Sequence, residues 1–374
     1  MKFSVSSTAL CNRLQTVSRV QSSKNSLAIL DCILFELSDG VLSMMASDSE
    51  TTIKTTLSVG DCDGGGRFAI ESKQLINSIK EISDQPIVFN INEETLQIEI
   101  NYQNGKYNLM GQNAAEYPIP VSGDDTYAQL TLPANLLLDG INRSLFATAD
   151  DDLRPQMNGV YFDITPDFTT LVASDGHKLV RDRLLSVHGD EAHAFIMPKK
   201  PALLLKTVLP KEEGDVQISF NDRSAKIVLG TYEISSQLIE GRYPNYNSVI
   251  PTDNPFRIRV DRMALISALR RVSVFASAAS SLIKLHIDNN TLTVSAQDLD
   301  FSTSAEESIM CEYDGNPMSI GFNGPYLLEV LNSITCQDIV LELADPSRAG
   351  VIVPAEQSDS EDLIVLLMPM MLQD

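Results

Sequence analysis

The sequence predicts an α+β protein built from three copies of one unit, each with two helices packed on antiparallel sheets. Three observations carry this. An alternating strand–turn–strand segment occurs three times at nearly constant spacing, a helical pattern stands on either side of each, and polar stretches containing proline separate the copies.

The hairpins run from Phe35 to Asp48, Phe162 to Asp175 and Leu285 to Asp298, each alternating apolar and polar residues around a polar turn. Ahead of them lie helical patterns at Thr8 to Val20, Pro133 to Phe146 and Asp261 to Val272. In the first, Leu10, Leu14 and Val17 share one face. Behind them come strands at Phe68–Ile70, Phe195–Met197 and Ser319–Gly321. Second helices follow at Ser72 to Ile82, Pro201 to Leu209 and Gly324 to Ile334, then alternating runs at Ile87 to Ile100, Val216 to Leu229 and Ile339 to Val353. A period of about 125 residues is too long for a solenoid repeat, so the expectation is three whole domains, 1–127, 128–252 and 253–374. The seams fall at Pro118 to Tyr127 and Pro251 to Pro255.

Composition narrows the function. With 43% hydrophobic residues the chain is globular, and its longest apolar stretch, Leu363 to Leu372, is too short to span a bilayer and is interrupted by Pro369. Met1 to Val5 lacks the apolar segment of a signal peptide, so a cytoplasmic address is expected. The five cysteines are scattered without metal or redox spacing and read as reduced thiols. His188 and His193 flank an acidic loop and form no chelating pair on a helix. A net charge of −22 argues against a protein that simply coats nucleic acid.

Charge distribution says more than the sum. The six helical windows 8–26, 67–83, 133–146, 198–211, 261–272 and 322–335 hold 14 Lys and Arg against five acids, whereas the rest of the chain holds 14 against 45. Lys73, Lys199, Lys200 and Arg262 sit at or just before the first turn of a predicted helix, where the macrodipole disfavours cations. Helices that face phosphate explain both the surplus and its position. The expected DNA-facing side chains are Arg13, Lys24, Lys73, Lys80, Lys199, Lys200, Lys206 and Arg270. No residue set is suited to reading base edges, so contact independent of DNA sequence is expected.

Several local matches then point to a family. They are Leu27–Leu30 after Lys24, Asn158-Gly159-Val160 after Arg154, Ala173 to Leu179 with its Asp-Gly-His, Gly241 to Tyr246 with its Gly-Arg-Tyr-Pro, Gly321-Phe322-Asn323, and the tail Met368 to Leu372. With these the chain resembles the bacterial DNA polymerase III β subunit, the sliding clamps. The resemblance implies a closed ring formed by a head-to-tail homodimer, with helices lining a hole for duplex DNA. It implies a processivity factor for the replicative polymerase, with no catalytic site and no cofactor.

The resemblance also implies a pocket for short linear peptides from the polymerase, the clamp loader, translesion polymerases and mismatch-repair proteins. The matching positions are Arg154, Met157, Ser174, Gly176, His177, Lys178, Leu179, Pro244, Val249 and Tyr326, with Leu366, Leu367, Met368, Pro369, Met370 and Leu372 from the tail. Flexible Met and Leu side chains suit varied apolar anchors. On the residues alone, the tail reads as a buried last strand. For the dimer contact the resemblance nominates Tyr107 and Leu109 against Val274 and Phe275, residues that could equally belong to the cores of their own domains. The chain departs from the family pattern at Ser248 and Met371, where arginine is usual, at Lys178 in place of arginine, at Pro155-Gln156 in place of an aromatic pair, and in the added Gln373-Asp374. The pocket is therefore expected to prefer a somewhat different peptide.

Other chemistries are poorly supported. Ser174, Asp175 and His177 lie on one strand and turn and cannot readily converge as a triad. Asp150 to Asp152 reads as a solvated loop. Gly64 to Gly66 lacks the Lys-Ser/Thr of a phosphate loop. A β-rich scaffold that never meets DNA is the alternative.

Overall fold

A computed structural model describes residues 1–22, 27–119 and 128–372. Lys24, most of the first seam, Gln373 and Asp374 lie outside the described residues.

Each copy is itself double. The first contains β1 (Lys2–Ser6), α1 (Ser7–Val17), β2 (Cys32–Ser38), β3 (Val41–Ser47) and β4 (Thr51–Ser58). A short β5 (Gly60–Asp63) intervenes before the order recurs as β6 (Gly66–Glu71), α2 (Ser72–Ile79), β7 (Pro86–Ile91), β8 (Gln97–Tyr102) and β9 (Gly105–Met110). The second copy begins with β10 (Ala128–Pro133), α3 (Ala134–Ser144), β11 (Gly159–Ile164), β12 (Thr169–Ser174) and β13 (Lys178–Leu184). It continues with β14 (His193–Pro198), α4 (Lys199–Val208), β15 (Asp215–Phe220), β16 (Ser224–Leu229) and β17 (Tyr232–Gln237). The third runs β18 (Phe256–Asp261), α5 (Arg262–Val272), β19 (Leu282–Asp288), β20 (Thr291–Asp298) and β21 (Thr303–Glu312). It ends with β22 (Met318–Asn323), α6 (Gly324–Ser333), β23 (Asp338–Leu343), β24 (Gly350–Pro354) and β25 (Glu361–Leu367). All six expected helices and all three hairpins are present. The sequence pattern does not expose the strand before each first helix or, apart from the buried last strand read in the tail, the third strand of each half.

Local chemistry sets the junctions. The strand-to-helix switch is made by a polar side chain that accepts hydrogen bonds from the first helical amides. Ser6 Oγ takes Ala9 N at 3.2 Å, the Glu71 carboxylate takes Lys73 N and Gln74 N, Asp261 Oδ1 takes Ala264 N at 2.6 Å, and Asn323 Oδ1 takes Tyr326 N at 3.1 Å. Two hairpins close through residues in the left-handed region, Asp39-Gly40 (φ 51° and 75°) and Asn289-Asn290 (φ 47° and 62°), as tight two-residue turns require. The first two copies share a stacked aromatic pair between equivalent strands, Phe35–Phe68 at 5.1 Å and Phe162–Phe195 at 4.6 Å. Leu285 and Ile320 take those places in the third.

The chain divides into two compact units, Met1–Leu138 with Lys200–Leu238, and Asp139–Lys199 with Ile239–Asp374. The division cuts the second copy within α3 and at the junction of β14 and α4, because its strands pair with neighbouring copies. In the first unit, a five-stranded sheet has the order β5-β1-β7-β8-β9, and an eight-stranded sheet has β10-β15-β16-β17-β4-β3-β2-β6. The second unit holds one twelve-stranded sheet, β14-β11-β12-β13-β25-β24-β23-β18-β21-β20-β19-β22. Two joints result. β17 lies antiparallel to β4, Tyr232 opposite Thr55 through Ser236 opposite Thr51, and β13 lies antiparallel to β25, Lys178 opposite Leu367 through Leu184 opposite Glu361. Inward-facing residues such as Phe3, Leu10, Leu14 and Phe89 in the first unit, and Val180, Leu269, Leu285 and Val365 in the second, are wholly buried.

Candidate functional site

The predicted basic residues fall into two groups. Lys73 in the first turn of α2, Lys206 in the last turn of α4 and Arg270 in the last turn of α5 are exposed and make no ion pair among the described residues. Lys80 is exposed, 3.8 Å from Glu81. The others have protein partners. Arg13 Nη1 lies 3.2 Å from Glu212 Oε1, and its guanidinium covers the Tyr232 ring at 4.7 Å, so it fastens α1 to β17. Lys199 Nζ is 2.5 Å from Asp150 Oδ1, and Lys200 pairs with Asp48.

These pairs correct one sequence argument. A cation in the first turn of a helix implies phosphate nearby on charge position alone, yet Lys199 and Lys200 are balanced by carboxylates. Arg262 donates from Nε to Cys336 O at 2.8 Å and from Nη1 to Leu331 O at 3.1 Å, satisfying carbonyls at the C-terminal end of α6. Lys73 is the member of that set without a protein partner among the described residues. Arg143, counted with the basic windows, is mostly buried, with Nη1 3.2 Å from Asp182 Oδ2 and 2.8 Å from Glu361 Oε2.

Several of the residues nominated for a peptide pocket come together at the joint of β13 and β25 within the second unit. Ser174 Oγ donates to Lys178 O at 2.9 Å and accepts Gly176 N at 3.2 Å, while Asp175 Oδ1 accepts His177 N and Lys178 N. These bonds fold the turn tightly, and Gly176 adopts a φ of +91°, which suits glycine. The Arg154 guanidinium passes over that glycine, and its Nε donates to Asp151 Oδ2 at 2.8 Å. The turn also receives the tail, because Met368 N donates to His177 O at 2.8 Å. Leu179 pairs with Leu366 in the joint, and both are buried with Met157. Met370 bridges to Gly321, where a Cβ would come within 2.7 Å of Met370 O, so only glycine lets the tail lie this close.

Both readings of the tail hold, on different stretches. It is a buried strand through Leu367, and from Met368 it leaves the sheet with Met368 and Met371 exposed, Pro369, Met370 and Leu372 half-buried. Pro244 and Val249 are exposed on the segment after β17. That segment is anchored by Tyr243, stacked on Tyr161 at 4.6 Å, and by Tyr246, whose hydroxyl donates to Asp163 at 2.7 Å.

Lys178 is the electrostatic centre of this site. Only 5% exposed, it reaches from β13 to α6, with Nζ 2.8 Å from Glu329 Oε2, 3.2 Å from Asp175 Oδ2 and 4.2 Å from the centre of the Tyr326 ring. Burial works against its charge, but the two carboxylates outweigh that and hold its ammonium above the ordinary lysine value. Glu329, the single charge in the α6 window, has no role in the sequence reading. Ser174 and Asp175 spend their side-chain bonds on the turn itself, so no nucleophile–base pair exists with His177.

Of the nominated dimer residues, Leu109 is buried in its own unit while Tyr107, Val274 and Phe275 reach the surface of theirs. Tyr107 is half-buried against Tyr102 at 5.0 Å, and Leu109 is buried, both on β9, which ends its sheet. Val274 is 78% and Phe275 40% exposed after α5. Among the described residues no cluster of metal-ligating side chains occurs, and no helix is long and apolar enough to cross a membrane.

Known proteins match along the whole chain. Models of the DNA polymerase III beta subunit match its N-terminal domain at residues 1–121, its central domain at 131–245 and its C-terminal domain at 247–371. The chain is 25% identical to the beta sliding clamp of Pseudomonas aeruginosa and 26% identical to that of Haemophilus influenzae, each over 100% of both chains. A crystal structure of the Pseudomonas aeruginosa clamp bound to griselimycin superposes with a TM-score of 0.93 at 25% identity, covering 100% of both chains. The Thermotoga maritima beta subunit shares the fold, with a TM-score of 0.90 at 23% identity over 100% of both chains. With three consecutive family domains spanning nearly its full length, the chain belongs to the DNA polymerase III beta subunit family, the beta sliding clamps.

Proposed function

We propose that two copies of this chain close head to tail into a ring around duplex DNA and hold the replicative polymerase on its template. The chain has no catalytic role of its own; it acts in the cytoplasm as a mobile tether. The observation that carries the reading is the pair of repeated joints. Third strands of successive copies pair at β4·β17 and β13·β25, which leaves β9 and the Thr303–Met310 stretch of β21 each with one neighbour. An unpaired strand edge is a template for another chain, and a head-to-tail contact that closes after two copies buries both edges at once. The nominated contact sets Tyr107 and Leu109 against Val274 and Phe275.

Exposed Lys73, Lys206 and Arg270 supply weak contacts to phosphate, compatible with sliding, and the acidic remainder discourages other attachment. Cations already tied to carboxylates, such as Arg13, Lys199 and Lys200, contribute less than the sequence suggested. The pocket at the β13·β25 joint takes apolar peptide motifs of the polymerase, the clamp loader, translesion polymerases and mismatch-repair proteins. Its methionines at 157, 368 and 370 allow repacking around different anchors. Griselimycin in the Pseudomonas aeruginosa relative is consistent with a ligand-binding clamp surface.

Loading onto nicked circular DNA tests the reading. Protein should remain on closed circles and be lost after linearisation, and sedimentation should give a dimer of 41.0 kDa chains. Equal loss from both templates would overturn the ring.

A further inference from the structure

The pocket proposed at the β13·β25 joint is largely apolar, so its few charged groups decide what can flank an apolar anchor. Lys178 is nearly buried, and its ammonium has three hydrogens to place. Three neighbours take them: Glu329 Oε2 at 2.8 Å, Asp175 Oδ2 at 3.2 Å and the Tyr326 ring, 4.2 Å to its centre. That cation has nothing left for a ligand. Asp175 is spent as well, since Oδ1 accepts His177 N and Lys178 N while Oδ2 faces Lys178. Arg154 is met by Asp151, Nε to Oδ2 at 2.8 Å.

Glu329 is different. Its side chain is 47% exposed on α6, against 16% for Asp175, and Lys178 bonds its Oε2. A carboxylate can accept about four hydrogen bonds, so acceptor capacity remains at the edge of the site. The charges do not cancel either: Arg154 and Lys178 face Asp151, Asp175 and Glu329, which leaves one negative charge. Ser248, Val249 and the tail from Met368 to Leu372 bring none.

We infer that the pocket selects peptides carrying a lysine or arginine beside their apolar anchor, and that Glu329 is the residue that selects them. This rests on the pocket reading above and names its class of ligand. The peptide's cation meets the open side of the Glu329 carboxylate; an acid in the same place meets uncompensated negative charge and is rejected. An ion pair at a half-exposed carboxylate is weak and screened by salt. Exchanging Lys for Glu in the peptide should therefore change affinity about fivefold, and less at high ionic strength. Glu329 also holds Lys178 in position, but the two roles separate. Glu329→Gln keeps an oxygen that can accept from Lys178 Nζ and removes only the charge.

A random heptapeptide library displayed on phage, selected on the whole chain, tests this. Counter-selection uses a chain ending at Leu367, which retains β25 and lacks the tail, and so discards peptides drawn merely by the net charge of −22. Lys and Arg should outnumber Asp and Glu among the survivors. In fluorescence anisotropy, a surviving peptide should lose about fivefold in affinity when its cation becomes Glu. That loss should vanish in Glu329→Gln and return in Glu329→Asp, while a peptide with Gln at the same place binds the native chain and Glu329→Gln alike. Survivors in which cations do not outnumber acids would overturn the inference and leave the pocket standing. So would a Lys-to-Glu loss of the same size in Glu329→Gln, or a Gln form that this variant no longer binds. A selection without any tail-dependent survivor would overturn the pocket and the inference together.

Discussion

Removing the charge of Asp182 tests the energetics of the joint that supports the proposed peptide pocket. Asp182 is 0% exposed and shares the guanidinium of Arg143 with Glu361, while Asp139 lies near enough to repel it. Its second oxygen has no protein partner. Burial pushes its carboxyl up to about 6, because losing hydration outweighs the attraction of Arg143. A folded value above the unfolded one, near 3.9, means that the folded chain binds the proton more tightly. The resulting stabilisation is fully present below the unfolded value and is lost as pH rises through about 6. Two units correspond to about 3 kcal/mol in all, of which roughly 1 kcal/mol disappears between pH 5 and pH 7. Asp182→Asn mimics the protonated acid at every pH. Urea unfolding of both proteins across this range should therefore show the variant gaining roughly 1 kcal/mol on the native protein as pH rises from 5 to 7. A constant difference, or a variant that loses ground with rising pH, would show that Arg143 holds Asp182 ionised at no net cost and would refute the reasoning.

Two further outcomes follow from the same geometry. Replacing Lys73, Lys206 and Arg270 with Glu should weaken retention on nicked circles and flatten its salt dependence by about 0.9 per lost phosphate contact, whereas Arg13→Glu should chiefly lower unfolding stability by breaking its bond to Glu212. Lys178→Met leaves Asp175 and Glu329 facing each other without a cation. Since Glu329 is half exposed and can rehydrate, the stability loss should be about 1–2 kcal/mol rather than that of a fully buried pair. Peptide affinity measured by fluorescence anisotropy should fall with it and be restored by Lys178→Arg.

The fate of individual residues marks how far local information reaches. Alternation around Asp39-Gly40 and Asn289-Asn290 announced hairpins, and Leu10, Leu14 and Val17 announced a buried helical face, because those signals lie within a few residues of each other. The Ser174 to Leu179 turn was legible for the same reason: its hydrogen bonds join near neighbours. Glu329 was missed as the partner of Lys178 because 151 positions separate them. The basic windows were counted correctly, but a count cannot distinguish Lys206, which is exposed, from Arg143, which is enclosed by carboxylates distant in the chain.

By itself the sequence determined three copies, their helices and hairpins, the acidic surplus and the family motifs, all properties of short-range pattern and composition. The tertiary structure decided that each copy is a doubled unit and that third strands of successive copies pair. It also decided which cations stay free and which carboxylate is stripped of water. Those outcomes depend on strand partners far apart in the chain, and a backbone edge carries no side-chain pattern that names its partner; only folding brings β4 to β17 and β13 to β25.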